Sequence, residues 1–251
     1  MEKLSTRTVI VTGGNSGIGR AIAGAFARKG ANIIIIGRDE KKLRETAREL
    51  GYNAVYQQAD VSKSQQVAAV VKAIVEQFGQ IDVLVNAAGF ALGVTTVMPL
   101  QEAEQEWDAV IDTNLKGSFL MATAVAPHMP RPGGRIVNIS SIAAFTGGSR
   151  AGSTAYAAAK AGVLGLTYGL ARELSPQGIT VNAIAPGFIA STGFTGDWSE
   201  ERVRGIIEQT PVGRGGHPDD IAAATLYLAS PEASFVTGEV LNVNGGWLFG
   251  H

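Results

Sequence analysis

Tyr156 and Lys160 stand four residues apart in Tyr156-Ala157-Ala158-Ala159-Lys160, a spacing that puts both side chains on one face of a helix. An ammonium group held beside a phenol favours the phenolate and brings its proton into exchange near neutral pH. That is an acid/base pair. Ser141 lies fifteen residues upstream of the tyrosine and offers a second hydroxyl. Asn114 sits in Asp112-Thr113-Asn114-Leu115-Lys116-Gly117, a helical pattern in which asparagine is mildly unfavourable, so a special role is expected. Singly these are weak signals, because Tyr-x-x-x-Lys is most often a solvated surface pair and a lone serine a loop residue.

A glycine-rich turn raises them. Thr12-Gly13-Gly14-Asn15-Ser16-Gly17-Ile18-Gly19 closes the first apolar run, where Gly13, Gly17 and Gly19 permit a tight turn, close approach of a pyrophosphate and packing of the next helix. Alone, the segment is a weak signal, with an ordinary tight turn as the alternative. Joined to the Tyr–Lys pair it predicts an oxidoreductase. Hydride transfer to a ketone creates an alkoxide, which needs an acid aimed at the oxygen and a donor that stabilises the charge. Tyr156 is the expected acid and Ser141 the second donor. After the second strand, Gly37-Arg38-Asp39 lacks the carboxylate that would hold a free ribose 2′-hydroxyl and offers a guanidinium to a 2′-phosphate, which favours NADPH over NADH. Stacking of Arg38 on adenine is the alternative. Asp60 reads as the N-cap of the following helix.

In order and spacing, the chain resembles the short-chain dehydrogenase/reductase family from end to end. The resemblance rests on TGGNSGIG, Asp60-Val61, Asn86-Ala87-Ala88-Gly89, the asparagine of TNLKG, the second serine of NISS, YAAAK and Pro186-Gly187. It implies a nicotinamide dinucleotide site built from Gly13, Asn15, Ser16, Gly17, Ile18, Gly19, Arg38, Asp60, Val61, Asn86, Ala87, Ala88, Gly89, Tyr156, Lys160, Pro186, Gly187, Ile189 and Ser191, with Thr192 an alternative to Ser191. It also implies that Lys160 bonds the nicotinamide ribose and that Asn114 holds a water linking Lys160 to solvent. Within the family the chain is most like ketoreductases acting on 3-oxoacyl carrier-protein thioesters, with a polyol dehydrogenase and a non-catalytic NADP-binding regulator as the other readings. Three departures stand out. Ala87 replaces a more frequent asparagine, and Asn15 and Ser16 stand where NADP-preferring members often carry a basic residue. The interval from Ser141 to Tyr156 is about two residues longer than the common pattern, which leaves Ser140 and Ser153 as alternative serines.

Positioning such residues requires alternating strands and helices. Strands are expected near Thr8–Thr12, Asn32–Gly37, Ala54–Gln58, Val83–Asn86, Arg135–Ile139, Thr180–Ile184 and Val240–Val243, with helices between them. Ile33-Ile34-Ile35-Ile36 is continuous, as suits a strand covered on both faces. The fold class is therefore α/β, a doubly wound parallel sheet in one domain spanning 1–251, with ligand at the carboxyl ends of the strands. The family resemblance implies seven strands in the order 3-2-1-4-5-6-7. The stretch Gly187–Gly216, with a short helix around Ser199–Gln209, reads as a mobile substrate lid. Phe90, Ala91, Leu92, Thr146, Phe188, Phe194 and Trp198 suggest a mostly apolar pocket without a fixed cation or anion. Asn242–Trp247 is expected to be a central-type strand ending in an exposed aromatic. Ala158, Ala161, Gly162, Gly165 and Gly169 permit close helix contact, and by resemblance a homotetramer.

Composition narrows the classes. The chain has 251 residues and a formal net charge of −1, giving no basic field for nucleic acid or an anionic membrane. It has no cysteine, and His128, His217 and His251 show no metal-ligand spacing, so no metal is expected. Met1–Arg7 lacks the apolar stretch of a signal peptide, and a cytoplasmic location is expected. Arg131 and Arg172 are candidates for meeting an acidic carrier protein.

Overall fold

The computed structural model describes residues 6–51, 53–190, 192–193, 195–196 and 198–249. The expectations for Met1–Ser5, Ser191, Phe194 and His251 lie outside the described residues. Parallel strands β1 (Thr8–Thr12), β2 (Asn32–Gly37), β3 (Ala54–Gln58), β4 (Val83–Asn86), β5 (Arg135–Ile139), β6 (Thr180–Pro186) and β7 (Val240–Val243) form a seven-stranded sheet in the order β3-β2-β1-β4-β5-β6-β7. Successive side chains on a strand face opposite sides and both faces are covered, which is why the central strands β1, β2 and β4 are mostly apolar, while the edge strand β3 carries Gln57 and Gln58. Ile34 and Ile36 join Ile10 in the core of one face, while Ile33 and Ile35 join Val9 and Val11 on the other.

Helices cover both faces. On the first, α3 (Ser64–Phe78), α5 (Gly117–Val125) and α7 (Thr154–Leu174) bury Val67, Val70, Met121, Val125, Leu170 and Leu174. On the second, α1 (Gly17–Arg28), α2 (Glu40–Leu50) and α9 (Pro218–Leu228) bury Ile22, Phe26, Leu43, Ile221 and Leu228. Of the remaining helices, α4 (Leu100–Ile111) packs on α7 through Val110 against Ala155 and Ala159, α6 (Ala143–Thr146) follows β5, and α8 (Glu200–Glu208) falls within the stretch expected to form a lid. Strand order reverses between β1 and β4, which opens a crevice at their carboxyl ends.

Four expectations need correction. β6 runs two residues further than expected, through Pro186, whose carbonyl accepts from the Ile142 N–H. β7 is an edge strand with half-buried residues, not a central one, because nothing among the described residues pairs with its outer side. Trp247 is half-buried in the cleft described below rather than exposed. Asp60 does not cap α3, whose N-cap is Lys63; its carboxylate instead accepts from the Ser62 N–H at 2.9 Å and closes a turn before the helix.

Buried side-chain hydrogen bonds tie β4, β5 and α7 into one seam behind the crevice. Asn86 Nδ2 donates to Asn138 Oδ1 at 2.9 Å, Asn138 Nδ2 to Thr167 Oγ1 at 3.0 Å, and Thr167 Oγ1 to the Val163 carbonyl at 2.8 Å. Asn138 is fully buried, so its loss leaves a cavity and removes a bond from each of two buried partners, with Asn86 Nδ2 keeping the Ser118 carbonyl at 3.3 Å and Thr167 Oγ1 the Val163 carbonyl. Asn138→Ala is expected to lower unfolding free energy by about 2–3 kcal/mol in urea titrations. A change below about 0.5 kcal/mol would show that the ladder contributes nothing net.

Candidate active site

A cleft of about 510 Å³ opens at the carboxyl ends of the central strands. Gly13, Ser16, Gly17, Ile18 and Gly19 form one wall, and Ala87 and Gly89 the floor beside it. Gly13 adopts φ of 66°, and a Cβ there would stand 2.9 Å from Ala88 Cα, while a Cβ on Gly19 would collide with the Gly13 carbonyl. Only glycine lets these loops meet. The floor is fixed from within, since the Ala87 and Ala88 N–H groups donate to Thr12 Oγ1 at 3.1 and 3.0 Å. The position-87 side chain is therefore not what holds this turn. Ser16 makes no side-chain cap and no acidic residue stands in the first turn of α1, so the positive helix end faces the cleft uncompensated.

Ser141 follows β5, Tyr156 and Lys160 project from α7, and Asn114 lies in a π-helical turn, Asp112–Lys116, between α4 and α5. All four line the cleft. Lys160 Nζ donates to the Ile139 carbonyl at 2.9 Å and lies 5.5 Å from the centroid of the Tyr156 ring. Ser141 hydrogen-bonds the Tyr156 side chain, and Ser141 Oγ accepts from the Ala143 N–H at 3.1 Å. Burial pushes the Tyr156 phenol up to about 12, with the Ser141 bond opposing it, and burial brings Lys160 down to about 8. The lowering of the phenol expected from Lys160 is not found: desolvation dominates, and among the protein's own groups it is the Ser141 bond that opposes it. The result at neutral pH is a protonated phenol beside a largely protonated ammonium, the states suited to giving a proton away.

Asn114 is held by its amide, with Nδ2 donating to the Phe90 and Val110 carbonyls at 2.9 Å each. Its Oδ1 is buried with no hydrogen-bond partner among the described residues. That oxygen sits over Gly89, where an added Cβ would collide with it and stand 3.4 Å from Lys160 Nζ. A widened turn presents this unsatisfied acceptor beside the ammonium, as π-turns at functional positions commonly do.

A family model described as enoyl-(acyl carrier protein) reductase matches residues 13–248. The chain is 40% identical over 244 residues to a 3-oxoacyl-[acyl-carrier-protein] reductase of Vibrio cholerae, covering 97% of this chain and 98% of that protein. It is 42% identical over 246 residues to the same enzyme of Staphylococcus aureus, covering 96% and 98%. A crystal structure from Brucella melitensis, a short-chain dehydrogenase/reductase described as glucose/ribitol dehydrogenase, superposes with a TM-score of 0.92 at 34% identity, covering 99% of each chain. The chain belongs to the short-chain dehydrogenase/reductase family. It is an oxidoreductase acting on CH–OH/C=O groups with a nicotinamide cofactor.

The residues fit such a cofactor, because the glycine cradle leaves room that a Cβ would fill and the uncapped α1 end suits a pyrophosphate. Pro186, Gly187 and Ile189 stand across the cleft, and the Ile189 carbonyl is occupied by Thr195 Oγ1 at 2.8 Å. Arg38 lies with its guanidinium 5.6 Å from the Phe90 ring centroid. Although burial works against it, hydrogen bonds from Ser62 and the Arg38 charge hold the Asp60 carboxyl below its usual range. Asn15 comes to Gly37 from the side, its Oδ1 3.0 Å from where a Cβ would stand. Two family positions have side chains turned away from the cleft. Val61 is core, packed under Gly117, and the Asn86 amide donates to Asn138 and Ser118, which leaves its buried Oδ1 without a partner among the described residues.

The expectation of a pocket without fixed charge is overturned, because Arg150 and Arg202 also line the cleft. Phe188 and Trp198 do stack there, with centroids 5.4 Å apart. Sequence reasoning also missed Thr12, whose hydroxyl carries no local signal of reaching the turn after β4. Ser140 is resolved from Ser141, since its hydroxyl donates to the Lys160 carbonyl at 2.8 Å, and Ser153 heads α7 at the N-cap position. Ser141→Ala is therefore expected to lower turnover about a hundredfold or more with a stability change under about 1 kcal/mol. Ser140→Ala should show the opposite, about 1–2 kcal/mol of destabilisation with turnover within about threefold. Equal kinetic damage from both would refute this division.

Proposed function

We propose that this protein reduces a ketone, a 3-oxoacyl thioester or another hydrophobic ketone, to a secondary alcohol with NADPH. The observation that carries the reading is the Ser141–Tyr156 hydrogen bond in front of Lys160, at the end of a cleft whose far wall is the uncapped start of α1. Bound NADPH supplies the hydride. Ser141 orients the carbonyl oxygen and stabilises its developing charge, and Tyr156 transfers a proton to it. Lys160 lowers the cost of the phenolate that remains, and Asn114, through its unsatisfied Oδ1, is suited to hold a water that resupplies the proton. Phe188 and Trp198 exclude water from the reacting end.

The stretch 187–216 acts as the lid over this site. Its ends are stitched together by Gly216 N–H to the Phe188 carbonyl at 2.9 Å and Ala190 N–H to the Gly216 carbonyl at 2.8 Å, so movement is confined to the residues between. The relatives described as 3-oxoacyl reductases at 40% and 42% identity favour the acyl substrate over the polyol suggested by the neighbour at 34%. Exposed Arg172 is free to meet an acidic carrier protein, whereas Arg131 also donates to the Ala126 carbonyl at 3.3 Å. Ala158, Ala161, Gly165, Tyr168 and Gly169 form an exposed, mostly small-residue face of α7 that suits a homotetramer; Gly162 packs inward on Leu115 instead. The cysteine-free chain suits the reducing cytoplasm.

Steady-state assays across acetoacetyl thioesters, aryl ketones, hexoses and polyols test the reaction. Ketones and thioesters should be preferred, and Tyr156→Phe should cut reductive turnover by about a hundredfold or more while retaining NADPH binding. A higher kcat/KM for a polyol, or near-normal turnover in the phenylalanine variant, would overturn the reading. Cofactor choice has its own test. Arg38→Ala should weaken NADPH binding by about tenfold or more and NADH binding by less than about threefold, because only the former loses a phosphate contact. Gly37→Asp should favour NADH at reduced overall affinity, since the new Cβ crowds Asn15. Wild-type titrations giving equal affinities for both nucleotides would remove the NADPH preference.

A further inference from the structure

Two guanidinium groups meet at the mouth of the cleft from segments far apart in the chain. Arg150 comes from the loop between α6 and α7, Arg202 from α8, and both line the cavity together with Ser149. Arg202 is fixed on two sides. Its guanidinium carbon lies 3.5 Å from the Trp198 ring centroid, and Nη2 donates to Ser149 Oγ at 2.9 Å. Trp198 is itself stacked on Phe188. A planar cation held in this way gives up little freedom when it binds.

Among the described residues the pair lacks a counter-charge. Arg20, Arg28, Arg44 and Arg214 each face a carboxylate, but among the described residues neither Arg150 nor Arg202 forms an ion pair. Burial and the nearby Arg150 charge both press the Arg202 guanidinium below its ordinary value, so the two cations oppose each other where an anion would relieve them. The Ser149 hydroxyl accepts from Arg202 and keeps its own proton to donate. Guanidinium planes match carboxylate and phosphate oxygens through parallel hydrogen bonds. The adjoining Phe188–Trp198 stack offers an apolar surface for the rest of the ligand.

We propose that Arg150 and Arg202 form an anion-recognising subsite at the mouth of the cleft, selecting carbonyl substrates that carry a carboxylate or phosphate away from the reacting carbon. This rests on the ketone-reductase reading and refines its substrate class. The anion has two sources, a carboxylate on the ketone itself or the phosphate of a pantetheine-type thioester carrier.

The test compares two matched pairs, para-acetylbenzoate with its methyl ester and acetoacetyl coenzyme A with acetoacetyl N-acetylcysteamine thioester. In the wild type at least one charged member should exceed its neutral partner by about tenfold in kcat/KM, mostly through KM. The pair in which this occurs identifies the source. In the double variant Arg150→Gln with Arg202→Gln the ratio should fall to within about twofold of one, and Arg202→Lys should retain part of it. A wild-type ratio at or below one in both pairs, or a ratio unchanged in the double variant, would overturn the subsite. Calorimetric titration of the same four compounds into the protein with oxidised cofactor separates the two readings. Arginine-dependent preference for charged members without reduction of any compound would reject the ketone reductase and keep the subsite.

Discussion

Lys160 is tied to β5 twice, its ammonium donating to the Ile139 carbonyl and its own carbonyl accepting from Ser140. The double tie sets the position of α7 against the sheet, and with it the position of Tyr156 one turn earlier on the same face. Further along, Thr167 repeats the attachment through Asn138, which reaches across to Asn86 on β4. A helix held by side chains at two heights cannot slide or rotate without breaking buried polar bonds, each of which is costly to leave unmade. The geometry of the proposed acid is therefore a property of the seam more than of the helix.

The dinucleotide end obeys a different constraint, closeness of backbones. Gly13 and Gly19 admit no side chain because the turn folds over itself and against Ala88, and Thr12 anchors that contact by accepting two amide protons. Leaving the first turn of α1 without cap or acidic residue gives up a modest stabilisation of the helix, on the order of 1 kcal/mol, and keeps its N–H groups available to a ligand. The two ends meet at Gly89, whose missing side chain makes room for Asn114 and the Lys160 ammonium.

Much of this was legible in the residues because it depends on short-range patterns. Ile33–Ile36 announced two-sided burial, and the glycine spacing announced the turn before α1. What escaped depends on chain meeting chain. A π-turn at Asp112–Lys116 satisfies the same apolar periodicity as a regular helix, so Asn114 could be suspected but its widened turn could not be seen. Asp60 has the residue type of a cap, yet the helix starts later and the carboxylate closes a turn instead. Ser140 and Ser141 are adjacent, and only the direction of each hydroxyl separates them. Arg150 and Arg202 look like ordinary surface arginines until the fold brings them to one opening.

The cleft is built from parts with unequal attachment. Ser141, Tyr156 and Lys160 belong to the seam, whereas Ser149, Trp198 and Arg202 sit on the rim, bonded and stacked on one another and on Phe188, with Arg150 beside them. Substitutions on the rim leave the buried ladder untouched and carry little folding penalty. Under selection, such a layout lets a lineage acquire new substrates by drift at the rim while the proton-transfer centre is inherited unchanged, so that relatives of nearly identical architecture diverge first in what they admit.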